Sequence, residues 1–183
     1  GDIFVLANGQ INVGKSVFSK SDADTKNTGI YTTGGGDINI FTVGDNNVNE
    51  SRVMTFQGGD ITVWSDQGDI NAGRGSKAFI SVAEPRLENV APPGQPPDYR
   101  LKWEPPAVGS GIRTLTFDPD GVEGPEEAPP AGDAYLFAPT GTIDAGEAGI
   151  SARNLVLGAT EVLNAQNIDV SGASVGVPQT TSG

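Results

Sequence analysis

The sequence predicts an all-β chain, a right-handed parallel β-helix (solenoid) interrupted by a long Pro-rich excursion that itself holds a β-hairpin. Three observations carry that expectation. A short phrase, a small or polar turn followed by alternating apolar residues, recurs throughout: Ile3-Phe4-Val5, Ile11-Asn12-Val13, Ile38-Asn39-Ile40, Ile61-Thr62-Val63, Ile70-Asn71-Ala72, Ile143-Asp144-Ala145, Leu155-Val156-Leu157 and Ile168-Asp169-Val170. Equivalent phrases return at similar intervals, with 23 residues from Ile38 to Ile61 and 25 from Ile143 to Ile168. Finally, the stretch 59–74 aligns without a gap on 132–147: Gly59, Asp60, Gly68, Ile70, Ala72 and Gly73 recur as Gly132, Asp133, Gly141, Ile143, Ala145 and Gly146.

Each observation has a physical reading. Period-2 alternation over three to five residues, punctuated by Gly, Asn and Asp, suits short strands between tight turns. A return without an intervening helix suits a coil of three short strands per turn, whose inward Ile, Val and Leu merge into one core. A β-sandwich is the competing architecture, since it too has closely spaced alternating strands, but it leaves the likeness between distant phrases unexplained. In the self-alignment Trp64 shares a column with Phe137, and Arg74 shares one with Glu147.

The expected organisation is therefore β-helix rungs over 1–83, an excursion over 84–131, and further rungs over 132–183. The middle segment holds 11 of the 13 prolines, and proline cannot donate a ladder hydrogen bond. A structureless loop of that length is uncommon in a compact domain, so it is expected to lie on or beside the coil. Tyr99, Leu101 and Trp103 alternate with basic residues, and 112–117 alternates again, which suggests a hairpin burying Trp103 and Phe117. The remaining rungs, about six of them, make a rod near 29 Å at about 4.8 Å per stacked strand.

Composition narrows the chemistry. The 183 residues suffice for one domain. Eleven Lys and Arg against 23 Asp and Glu leave a net charge of −12, which opposes nucleic acid and anionic membranes. His and Cys are both absent, which removes His-dependent triads, Cys nucleophiles, thiolate zinc sites and disulfides. No run of about 18 apolar residues forms a transmembrane segment. The start at Gly1-Asp2-Ile3, without Met or leader, suggests an excised segment.

Candidate motifs resolve mostly into structure. Gly68 to Gly75 superficially resembles a phosphate loop, but Arg74 stands where lysine belongs and no helix follows. Asp118-Pro119-Asp120 opens like a calcium loop, yet Glu123 replaces the required Gly and Pro129 the bidentate Glu; Asp118, Asp120, Glu123, Glu126 and Glu127 remain oxygen donors for a hard cation. No catalytic, cofactor or metal residues are assigned. Arg74 and Glu147 are expected to stack as a structural pair at a rung corner, and Asp60 and Asp133 to accept turn amide hydrogens. Trp64 and Phe137, or Tyr99 and Trp103, are expected to pack, or to offer an adhesive or sugar-stacking patch.

The runs Ser51 to Phe56, Gly58 to Ser65, Gly68 to Gly75 and Ala138 to Ile150 resemble the filamentous haemagglutinin family, large exoproteins exported by two-partner secretion in Gram-negative bacteria. The likeness is to a domain of unknown function in the C-terminal region of such proteins. It implies a parallel β-helix stalk, an outer-membrane transporter as partner during export, and residence outside the cell or at its surface, where a host-cell receptor or glycan is the expected ligand. The resemblance supplies no catalytic residues. The expected role is a non-catalytic stalk or adhesin scaffold. The alternative is a carbohydrate-active β-helix enzyme, a polysaccharide lyase or glycosidase, using carboxylates such as Asp60 and Asp133.

Overall fold

The computed structural model describes residues 1–14, 29–75, 86–102, 109–116 and 128–179. Among them there is no α-helix; sixteen strands and one 3-10 turn, Ala165–Asn167, account for the regular structure. Alternation fixes the strand character, and parallel pairing fixes the coil. The first face stacks β1 (Ile3–Ala7), β4 (Ile38–Thr42), β7 (Ile61–Ser65), the first half of β12 (Ala134–Asp144), the first half of β14 (Leu155–Leu163) and β16 (Ser174–Val175). The second stacks β2 (Ile11–Asn12), β5 (Asn46–Asn47), β8 (Ile70–Asn71) and the later halves of β12 and β14. The third stacks β3 (Ile30–Thr32), β6 (Arg52–Phe56), β11 (Gly111–Leu115), β13 (Ile150–Ala152) and β15 (Ile168–Val170). This is a parallel β-helix. Six layers on the first face fit the expected number of rungs.

Register turns the repeated phrases into internal columns. Ile30, Val53, Ile112, Ile150 and Ile168 form one; Val5, Ile40, Val63, Leu136 and Leu157 form another. Most of these side chains in the middle rungs are fully buried in a single core, and burying one such side chain contributes roughly 1.5–3 kcal/mol. One column carries an odd member: Asn46 stands between Ile11 and Ile70. Its amide nitrogen donates to Thr42 Oγ1 at 2.6 Å, while its Oδ1 has no partner among the described residues.

The excursion differs from the expectation in two respects. Residues 111–115, counted within it, are a coil strand: β11 lies between β6 and β13, with Ile112 opposite Val53 and Ile150. Between β8 and β11, the described strands β9 (Arg86–Asn89) and β10 (Tyr99–Lys102) pair with each other and not with the coil. The hairpin also has other strands than those expected, because β10 pairs antiparallel with β9 and not with 112–117. The physical reason is plain in the sequence, where 107–118 is free of proline and can join a ladder. Trp103, Phe117 and the acidic loop from Asp118 to Glu127 lie outside the described residues.

The outward side of the third face is also covered at β6. Met54 and Phe56 point away from the main core yet are 0% and 1% exposed, in a second apolar cluster with Tyr31 and Leu115.

Candidate functional site

The Gly-Asp dipeptides fall at rung corners, and the glycine has a steric cause. Gly1, Gly36, Gly59 and Gly132 form one column. A Cβ on Gly36, Gly59 or Gly132 would sit 2.1, 2.1 or 1.9 Å from the carbonyl oxygen of the glycine one rung earlier. No side chain fits there. The following aspartate then ties the rungs. The amide of Asp37 donates to Asp2 Oδ1 at 3.0 Å, that of Asp60 to Asp37 Oδ1 at 2.9 Å, and that of Asp133 to Asp60 Oδ1 at 2.7 Å. Asn154 continues the series, its amide donating to Asp133 Oδ1 at 3.3 Å and its own Oδ1 accepting from the Ala173 amide at 2.8 Å. A threonine completes three of these corners from inside. Thr32 Oγ1 donates to the Gly36 carbonyl at 2.5 Å and Thr114 Oγ1 to Gly132 at 2.6 Å, with Thr55 and Gly59 paired likewise.

A second corner repeats the device. Asp69 donates its amide to Asp45 Oδ1 at 3.0 Å, and Thr142 donates to Asp69 Oδ1 at 2.7 Å. A third corner turns through the left-handed region instead, with Gly14, Asn49, Gly73 and Gly146 at φ +80°, +59°, +99° and +57°. Glycine and asparagine tolerate that conformation.

The first carboxylate series ends at a cation. Arg153 occupies the glycine column one rung after Gly132, and its Nε donates to Asp133 Oδ1 at 2.9 Å. Asp133 also accepts from Asn154 Nδ2 at 2.9 Å. Its carboxyl is held below the usual range, mainly by the Arg153 hydrogen bond, with Asn154 and the Arg153 charge assisting and partial burial opposing. Arg153 is correspondingly raised by Asp133.

Asp60 and Asp133 therefore meet, but as backbone acceptors between rungs and not as two carboxyls converging on a cleft. Arg74 and Glu147 sit on neighbouring rungs, since the Glu147 amide donates to the Gly73 carbonyl at 3.1 Å. Their side chains are exposed, and no ion pair joins them, so the structural pair expected from the alignment is absent. Exposed pairs are worth too little to hold two long side chains together. Trp64 and Phe137 share an outward column, with ring centroids 5.4 Å apart at 39°. Leu6 and Phe41 extend that column and Gly158 ends it. The two rings lean on one another, and Trp64 is only 37% exposed. A tilted, mutually covered pair is better suited to holding rungs than to presenting a flat platform for a sugar ring.

Among the described residues, no group of three acidic side chains is arranged to hold a metal ion, and no helix is long and apolar enough to cross a membrane. Sequence reasoning passed over Asp37, Asp45, Asp69, Arg153 and Asn154. The signal for the first three was the Gly-Asp dipeptide itself, present at 36–37, 44–45 and 68–69.

Parallel rungs tied at their corners by carboxylates and glycines define a β-helical solenoid. Within that class the chain belongs to the filamentous haemagglutinin family of outer membrane proteins, whose model matches residues 58–179. No curated protein matches it. No solved structure matches it either.

Proposed function

We propose that the chain is a rigid, non-catalytic segment of a secreted or surface-exposed haemagglutinin-like exoprotein, serving as a β-helical stalk or adhesin scaffold. The observation that supports this most directly is the use of the corner carboxylates. Asp2, Asp37, Asp60 and Asp133 each accept an amide from the following rung, so the two acids on which the carbohydrate-active alternative relied, Asp60 and Asp133, are engaged in holding the rod. The Asp133 carboxyl is in addition held in its ionised form by Arg153 and Asn154, which suits it poorly to act as a general acid. Rigidity then follows from backbone ladders on three faces, and binding falls to exposed surface. The partners of this reading are an outer-membrane transporter during export and a host-cell receptor or glycan at the far end.

The test pairs binding with turnover. The purified chain is applied to a glycan array and to host cells, and incubated with a polysaccharide panel under a reducing-end assay. Binding without reducing-end release supports the scaffold. Release that disappears in Asp60→Asn would establish the carbohydrate-active alternative.

A further inference from the structure

A polar cleft of about 350 Å³ opens on the outer side of the third face, within the volume range of small-molecule sites. Its floor is one outward column, Arg113, Ser151 and Asp169, in register across β11, β13 and β15. Gln166 and Asn167, from the 3-10 turn, form a wall. The column sets Arg113 and Asp169 two strands apart, about 10 Å between Cα atoms at about 4.8 Å per strand.

The two charges do not satisfy each other. Arg113 turns back to the backbone, where its Nη2 donates to the Ala148 carbonyl at 2.7 Å and its Nε to the Ser110 carbonyl at 3.4 Å. Those bonds fix the guanidinium and leave three of its five N–H donors without a described partner. Burial penalises its charged form, and the charge of Asp169 compensates in part, although the two form no ion pair. The Asp169 carboxylate and the Ser151 hydroxyl have no hydrogen-bond partner among the described residues. A chain with only 11 basic residues has thus placed one, half-buried and anchored, opposite an unpaired acid across a free hydroxyl.

We infer that this cleft binds a small zwitterion whose carboxylate and ammonium are separated by several atoms, the carboxylate on Arg113, the ammonium on Asp169 and the linker over Ser151. A simple anion would be repelled by Asp169, and a simple cation by Arg113. A zwitterion with both charges on one carbon would not span two strands. Desolvated guanidinium–carboxylate contact is strong and directional, and a preformed cleft lowers the ordering cost of binding.

The experiment titrates the whole chain with 6-aminohexanoate and glycylglycine, followed by ligand-observed NMR and calorimetry. Glycine, hexanoate, hexylamine and glucose serve as comparison probes. Saturable binding of the two separated zwitterions, at least tenfold tighter than any comparison probe, is expected. Arg113→Gln and Asp169→Asn should each weaken it tenfold or more, and Ser151→Ala a few-fold. Asp169 is exposed, so Asp169→Asn retains the fold and keeps the test intact if Arg113→Gln does not. Equal binding of hexanoate would make this a plain anion site. Tighter binding of glycine or glucose, unchanged affinity in Asp169→Asn, or no saturable binding would each overturn the inference.

Discussion

Gly132→Ala is the most stringent test of the corner. The added Cβ would lie 1.9 Å from the Gly59 oxygen, 2.5 Å from its carbon and 3.0 Å from Asp60 Oδ1. The first two are backbone atoms and cannot rotate away. Relief requires the third and fourth rungs to part at this corner. That movement breaks the Asp133 amide bond to Asp60 and the Ile61 amide bond to the Asp133 carbonyl, now 2.7 and 2.9 Å. A charge-assisted bond contributes about 1.5–3 kcal/mol net and a neutral one about 1, so the expected loss is about 2.5–4 kcal/mol. For a chain of this size that lowers Tm by roughly 10 °C, at about 2–4 °C per kcal/mol. Gly9→Ala is the matched control, because nothing lies within 4 Å of its added Cβ and its φ is not positive. It should shift stability by no more than about 0.5 kcal/mol, towards the folded state. Urea denaturation followed by tryptophan fluorescence measures both. A Gly132→Ala midpoint matching that of Gly9→Ala would refute the steric account of the Gly-Asp repeat.

Further outcomes follow from other contacts. Because the folded Asp133 carboxyl is held below its ordinary range, its stabilising contribution is complete above the unfolded value of about 3.9 and is lost as pH falls through the folded one; in Arg153→Gln the acid limb of stability measured below about pH 4 should be shallower than in the wild type. A double-mutant cycle on Trp64→Ala and Phe137→Ala should give a coupling of about 0.5–1.5 kcal/mol, read from chemical denaturation, and zero coupling would deny the ring contact. Asn46→Val replaces a buried amide whose Oδ1 has no partner among the described residues in a column of Ile11 and Ile70, and should raise stability by about 1 kcal/mol; a lower denaturation midpoint would contradict that. Leu136→Ala, at a fully buried position, should cost about 2–5 kcal/mol by the same measurement.

The fold was legible because one-face burial writes itself into sequence. Ile38-Asn39-Ile40 and Ile61-Thr62-Val63 alternate because every second side chain enters the same core, and their register is direct, Ile38 on Ile61. The gapless match of 59–74 to 132–147 likewise marked strands that stack, Ile61 on Ala134 and Ile70 on Ile143. The role of β11 was less visible because proline counting averages over a window. The phrase shared by Ile30-Tyr31-Thr32, Val53-Met54-Thr55 and Ile112-Arg113-Thr114 would have placed it, since Thr32, Thr55 and Thr114 all bond the corner glycine carbonyls. The Arg74 and Glu147 pairing failed for a different reason. Alignment reports which backbones are neighbours, but a solvated side chain has no packing to hold it to that neighbour. The cleft left no linear trace, because Arg113, Ser151 and Asp169 come together only through the ladder.

The corner series also binds neighbouring rungs in both senses. The side chains of Asp2, Asp37, Asp60 and Asp133 each accept an amide from the rung that follows. The carbonyls of Asp37, Asp60 and Asp133 accept in the opposite sense, from the amides of Ile3, Ile38 and Ile61 in the rung before, so each corner is clasped from both sides. Most steps close a short loop, as from Asp37 to Asp60 across 23 residues; the step to Asp133 spans 73. On logarithmic loop-closure scaling that one step costs about 1 kcal/mol more. Within that span β11 returns to the coil between β6 and β13, so the long closure is divided by a strand that is itself part of the rod.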